Sequence, residues 1–443
     1  MRWLKISAFL FGVALLLALI LPFLIPLNRY IPQIQKMASD KLGEPVMIAE
    51  LKFALLPLPS VTLAGITLGK SHTTKIGAVT VRPNLGSLLS DVKVLRVVEI
   101  DGVTFNHALI DFVTALAERP PNGPQTILVQ RIKLSALRLD MDALQWGPLR
   151  ADIALDERGV AAIDAGSEDR RFKLNLIPSE KGERHLKIEA KNWHLPLKPA
   201  LRFDTFTANG LLKEHELNLS EINASLYGGT LKATLKANWK QGWKVRGEAR
   251  ISQVELKEVV ALLTTATRLN GKLNANGGYS MNAKEARKLV ENLRGHFKFD
   301  VRRGVLQGLD LERAVTTLAM QGTRGGQTPF DDLSGSLAIV GKRYQISQIK
   351  VTSGVLSAEG NVDIAPSKKL TGRVNVAMRG TASLIEVPLE VSGTLNDPVL
   401  FPNRAALAGA AAGTAFMGPG FGTSVGSKAG QALEDLFKGT PNN

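Results

Sequence analysis

Alternation is the strictest constraint in this sequence. From residue 231 to 239 every second side chain is apolar: Leu231, Ala233, Leu235, Ala237 and Trp239 are separated by Lys232, Thr234, Lys236 and Asn238. A period of two places the two sets on opposite faces of a strand, whereas a helix would scatter them around its circumference. The segment therefore reads as a strand with one apolar and one wet face. Gly228 and Gly229 in SLYGGTLKA supply the turn that makes it one arm of a hairpin. The same alternation recurs where Leu149, Ala151, Ile153 and Leu155 are set against Arg150, Asp152 and Asp156, and where Phe172, Leu174 and Leu176 are set against Arg171, Lys173 and Asn175.

Short strands separated by turn residues also fill the chain from Pro45 to Phe105. They continue through TILVQRIKLSALRLDMD, two strand pieces with a bulge expected near Ser135 and Ala136, and resume after the glycine-rich Gly322–Gly326 loop as far as IEVPLEVSGTLNDP. Helical spacing is rarer. Ile31, Ile34, Met37, Ala38 and Leu42 predict an amphipathic helix capped by Asn28 and stopped by Gly43. Residues 107–119 read as a helix ended by Pro120, Pro121, Gly123 and Pro124, which makes 120–125 the best early linker. Between 254 and 320, VELKEVVALLTTATRL, MNAKEARKLVENLR and LDLERAVTTLAM read as three helical segments, interrupted by strand and turn.

This count sets a packing problem. Roughly twenty strands present an apolar face, and five or six helices cannot cover them all. The sheet can fold on itself as a dry sandwich, or it can form an open groove whose lining is covered by something other than protein. The sandwich is the default for a strand-rich chain, and periodicity alone does not choose.

Residues 6–27, ISAFLFGVALLLALILPFLIPL, carry no charge. As a helix the run is about 33 Å long, enough for the hydrocarbon core of a bilayer. It is longer than a usual signal core, and no small-x-small cleavage site follows it before Asn28, so it reads as an uncleaved anchor. Arg2 and Lys5 precede it while Arg29, Lys36 and Lys41 follow, which gives only a weak preference for a cytoplasmic amino terminus and an exported body.

A net charge of +15 attracts anionic surfaces. Aromatic residues make up only 6% and the cations are dispersed, which argues against nucleic acid. With no cysteine there is neither a disulfide framework nor a thiolate metal site. His72, His107, His185, His194, His215 and His296 are scattered, with no metal-ligand spacing. GITLGKS, Gly65–Ser71, has three residues between its glycines where a phosphate loop needs four, and no G-x-S-x-G elbow occurs. No catalytic constellation and no cofactor site is expected.

Five local patterns in order resemble the AsmA-like family of bacterial envelope proteins. They are the anchor with LNRYIPQIQKMASDKLGEPVMIAELKFALLPLPSVTLAGITLG, then SLYGGTLKATL, LNGKLNANGGYS, LRGHFKFDVRRGVLQGLDLERAV and LEVSGTLNDPVLFPN. Residues 70–210 match in strand character only. The resemblance implies a mainly β protein related to bridge-like lipid transfer proteins: an elongated antiparallel β-sheet curled into an open apolar groove, with an N-terminal transmembrane helix and a few short helices. It implies a single-pass inner-membrane anchor, a periplasmic body, and a part in carrying phospholipid toward the outer membrane.

The corresponding regions are an anchor at 1–27, an N-terminal β/helix domain at 28–119, a β-groove region at 120–253, a C-terminal domain at 254–404 and an Ala/Gly-rich tail at 405–443. In that tail Gly422, Gly426 and Gly430 are spaced for close helix contact, and a flexible tail is the plainer reading. The residues expected to line the apolar track are Leu231, Ala233, Leu235 and Ala237, then Val374, Val376 and Met378, then Leu389 and Val391. Membrane phospholipids are the expected partners, with an envelope protein or further copies of the chain to complete the path. The alternatives are a non-enzymatic scaffold for outer-membrane protein or lipopolysaccharide biogenesis, and a membrane-tethered hydrolase.

Overall fold

The structure, a computed structural model, describes residues 27–56, 58–69, 74–87, 90–106, 109, 127–141, 144–156, 159–179, 183–196, 200–262, 268–317, 322–378 and 385–403. The uncharged run 6–27 apart from Leu27, the helix expected at 107–119 apart from Leu109, the 120–125 linker and the tail from 405 lie outside the described residues. No helix among the described residues is long and apolar enough to cross a membrane.

The protein is mainly β and divides into two compact units, residues 1–201 and 202–443. The first unit holds β1 (Val46–Met47), β2 (Glu50–Ala54), β3 (Ser60–Leu68), β4 (Thr74–Pro83), β5 (Lys93–Phe105), β6 (Ile127–Val129), β7 (Arg131–Met141), β8 (Leu144–Asp156), β9 (Gly159–Ser167), β10 (Phe172–Pro178) and β11 (Arg184–His194). β3 pairs with β1, β2 and β4, β4 with β5, and β7 through β11 each with the next, all antiparallel. One step departs from the antiparallel expectation: β6 and β7 run parallel to β5. A parallel step needs a long crossover, and residues 106–126 separate these strands.

The second unit holds β12 (Arg202–Leu212), β13 (Glu216–Leu226), β14 (Gly229–Asn238), β15 (Trp243–Glu255), β16 (Arg268–Leu269), β17 (Lys272–Ala283), β18 (Arg294–Gln307), β19 (Gln327–Val340), β20 (Arg343–Thr352), β21 (Leu356–Ile364), β22 (Leu370–Met378), β23 (Ile385–Thr394) and β24 (Asp397–Pro402). Its strands pair antiparallel in chain order, except that the short β16 lies on β18 while β15 pairs with β17. The expected hairpin forms, with its turn one residue earlier than Gly228–Gly229. Tyr227 at φ 46° and Gly228 at φ 72° are the central residues, both left-handed as a two-residue I′ turn requires, and Gly229 pairs with Leu226 as the first residue of β14.

Bulges explain why the alternation skips. The register shifts between Leu134 and Leu137, between Ile251 and Val254, and between Ile346 and Ile349. A left-handed residue sits in each gap: Ala136 at φ 50°, Gln253 at φ 58° and Gln348 at φ 53°. One extra residue returns the apolar side chain to the same face after three positions instead of two. It also bends the strand and tightens its twist.

The described helices are short. α1 (Ile31–Leu42) places Ile31, Ile34, Ala38 and Leu42 on a cluster with Val46, Ile48 and Ile66. Asn28 does not cap it, because a 3-10 turn over Leu27–Tyr30 precedes the helix and puts Tyr30 at the N-cap. Gly43, at φ 73°, ends it as expected. α2 (Leu256–Ala261) and α3 (Leu311–Thr317) realise two of the three segments expected between 254 and 320. The third does not form an α-helix. Met281–Ala283 completes β17, with Met281 opposite Val245, and only 3-10 turns at Ala286–Lys288 and Val290–Asn292 follow. Val290, 69% exposed, buries nothing that could hold a helix in place.

Candidate functional site

Register converts the alternation into continuous apolar rows that run across strands. In the first unit one row passes from β2 to β11 through Phe53, Val61, Val81, Val98, Ile132, Ile153, Ile163, Leu176 and Leu186, each opposite the next. A second row, two residues along each strand, reads Leu51, Leu63, Val79, Ile100, Leu134, Ala151, Ala165, Leu174 and Ile188. Of these residues only Leu51 and Leu176 are buried, and the rest remain partly accessible. A face covered by a second protein layer would bury nearly all of them. Its polar reverse carries paired charges, including Arg82 with Glu99 at 3.0 Å and Arg131 with Asp152 at 3.3 Å.

Among the described residues, protein covers this face in two places. α1 packs on it near β1 and β3. Farther on, Trp146, Phe172 and Trp193 form an aromatic cluster, with Trp146 edge-on to Phe172 at 4.5 Å and Trp193 5.5 Å from Phe172. The sequence reads Phe172, Leu174 and Leu176 as one alternating strand, but the lining residues expected from it all lie in the second unit. The signal was the apolar pair at i and i+2 in strand after strand, and what was missing was the register that joins the pairs.

In the second unit a row of the same kind runs through Ala208, Ile222, Ala233, Ala249, Gly277, Phe297, Leu337, Ile346, Val362, Gly372 and Val391. The expected lining residues fall into two environments along this sheet. Leu231, Ala233 and Leu235 on β14 are half-buried, while Ala237 is buried. Val374, Val376, Leu389 and Val391 are buried, and Met378 packs against them partly exposed. These last five belong to a packed cluster over which α3 lays Leu311, Ala314 and Val315.

Local chemistry fixes α3 there. The Asp310 carboxylate accepts the Arg313 N–H at 2.8 Å, an N-cap bond, and the Thr328 hydroxyl accepts the Leu311 N–H at 3.0 Å while donating to the Leu309 carbonyl. The face is therefore dry and protein-covered at β22 and β23, and partly accessible at β14.

Tyr279 crosses the accessible region. It lies opposite Gly247, and its hydroxyl donates to the Thr234 carbonyl on β14 at 3.0 Å. Burial pushes its phenol above the ordinary 10.0, which keeps the donor protonated. Gly247 makes the crossing possible, because a Cβ there would sit 2.0 Å from the Thr234 oxygen and 2.6 Å from Tyr279 Oη. Gly247→Val is expected to cost roughly 2–4 kcal/mol by forcing the ring off the sheet, read as a lower urea midpoint. An unchanged midpoint would contradict this packing.

No group of three or more His, Asp or Glu able to hold a metal occurs among the described residues. What the geometry offers is surface: an extended β-sheet in each unit with a continuous apolar face that the described helices cover only in places. That defines a class of β-sheet proteins with partly uncovered apolar faces. Within it the chain belongs to the AsmA family, which it matches over residues 1–156 and 173–341. No curated protein and no solved structure matches the chain.

Proposed function

We propose that residues 6–27 anchor this chain in the bacterial inner membrane, that its body lies in the periplasm, and that it binds or conducts phospholipid along its apolar sheet faces without covalent chemistry or a cofactor. The role would be in outer-membrane lipid homeostasis, consistent with the envelope-related character of the family. The observation that carries the reading is the pair of apolar rows in the first unit, continuous over nine strands and left partly accessible.

An acyl chain laid on such a row leaves water at about 0.8 kcal/mol per buried methylene, while its headgroup stays at the polar rim. Successive strands offer Val, Ile and Leu of similar size, so affinity changes little from step to step. A lipid can then move down a gradient without an energy source. Nine strands at about 4.8 Å give a row of roughly 40 Å, so a protein partner, further copies or a shuttle motion would complete a longer path.

The protein-covered cluster around Val376 and Leu389 favours a second reading for that part of the chain, a non-enzymatic scaffold in outer-membrane biogenesis. Native mass spectrometry with lipid extraction on residues 28–403 separates the two. Phospholipid in stoichiometric amount is expected, and a folded, lipid-free body would overturn the lipid reading in favour of the scaffold.

A further inference from the structure

One end of the second unit's sheet combines a stacked pair of indoles with exposed, unpaired cations. Pairings bring its segments together: Asn238 lies opposite Lys244, Trp243 opposite Ala283, Ser280 opposite Arg294, Arg294 opposite Val340, and Val340 opposite Arg343. The tip between β14 and β15 reads WKQGWK, and its two indoles stack at 5.3 Å with 26° between their planes. Ala237 opposite Val245 is the last apolar pair before the tip, so Trp239 and Trp243, both half-buried, continue the apolar face to its edge.

Around them Lys240, Lys244, Lys284, Arg294, Lys342 and Arg343 are exposed, and none has an ion-pair partner among the described residues. The acids of this rim are Glu214 beside His215, Glu216 opposite Asn238, Glu285 with Lys288, and Glu291. Among the described residues, some surface cations elsewhere are paired, as Lys350 is with Glu359 at 3.2 Å, while others such as Lys232, Lys236, Arg246 and Arg250 are not. The indole pair at the end of the apolar face therefore sets this edge apart more than free charge alone. Val290 at 69% and Val340 at 53% exposure add apolar contact at the same end.

We infer that this edge docks on the surface of an anionic phospholipid bilayer. Indoles at the end of an apolar face suit the headgroup layer, where one side of the ring is dry and the other wet. Unpaired lysines and arginines around them gain about 1 kcal/mol each near an anionic surface. Single-stranded nucleic acid is a poorer match, because the two rings already stack on each other and present no row of free faces for bases. The inference does not require lipid to occupy the apolar rows.

The test is hydrogen–deuterium exchange on the full chain reconstituted in vesicles of phosphatidylcholine alone and of phosphatidylcholine with phosphatidylglycerol. Amides of 239–242 and 340–343 are expected to exchange more slowly in the anionic vesicles, by about fivefold for each cation engaged. High salt and the triple variant Lys240→Glu, Lys244→Glu, Lys342→Glu should abolish that difference, with amides of 333–337 reporting that the sheet is intact. Equal exchange in both vesicles would overturn the bilayer and leave an acidic protein as the partner of this edge. Lipid extraction is read separately, so a lipid-free body with this protection intact would remove the groove reading alone.

Discussion

Replacing Leu389 by Asp is expected to unfold the carboxy-terminal part of the second unit. Leu389 is 1% exposed and lies opposite Val374, and the neighbouring pair Val376 and Val387 is 0% and 4% exposed. Leu311, Ala314 and Val315 of α3 close the cluster from above. A carboxylate placed there meets no cation, loses its hydration and also leaves the volume of the leucine unfilled. The cost should exceed about 4 kcal/mol, a large share of the 5–15 kcal/mol by which a domain is usually stable. Circular dichroism melts should show the transition lost or lowered steeply. Leu389→Ala, costing about 2–5 kcal/mol, should lower it without abolishing it. A wild-type melt for Leu389→Asp would mean that α3 does not seal this part of the sheet.

Much of the fold is local and could be read directly. β14 spans the alternating residues that announced it up to Asn238, with Trp239 just beyond its end, the I′ turn falls at Tyr227–Gly228, and the bulge expected near Ser135 and Ala136 is present with Ala136 left-handed. These features depend on neighbours in sequence, where period and turn chemistry act. The misread segment MNAKEARKLVENLR fails for the opposite reason. Its propensity is helical, but Met281 is claimed by Val245 across the sheet, and a tertiary pairing outweighs a few tenths of a kcal/mol per residue.

The apolar rows of the first unit were hidden more deeply. Val98 meets Ile132 only because β5 and β7 pair in parallel, at a separation in sequence that no local pattern records. The contrast between Leu235 and Val376 is of the same kind. Both sit on alternating strands with identical signals, and the folding of α3 over one and not the other decides which is dry.

That contrast makes Leu235→Asp the decisive counterpart to Leu389→Asp. Leu235 is half-buried and lies opposite Leu219 on the partly accessible face, so an aspartate there can turn toward water. The expected stability cost is about 1 kcal/mol, nearer to that of a surface change than to a buried charge. Its effect on an apolar ligand should be far larger. A carboxylate beside an acyl chain must either lose its hydration or keep water in the row, and either removes several methylene contacts at about 0.8 kcal/mol each, a loss of two orders of magnitude or more in occupancy. Lipid extraction from the variant, compared with wild type at equal folded fraction, reads this directly. A folded Leu235→Asp protein that retains its lipid would place the ligand elsewhere, on the rows of the first unit. A variant that unfolds as Leu389→Asp does would mean that β14 is as dry as β23, and the second unit's sheet would then be a scaffold, leaving the rows of the first unit as the lipid site.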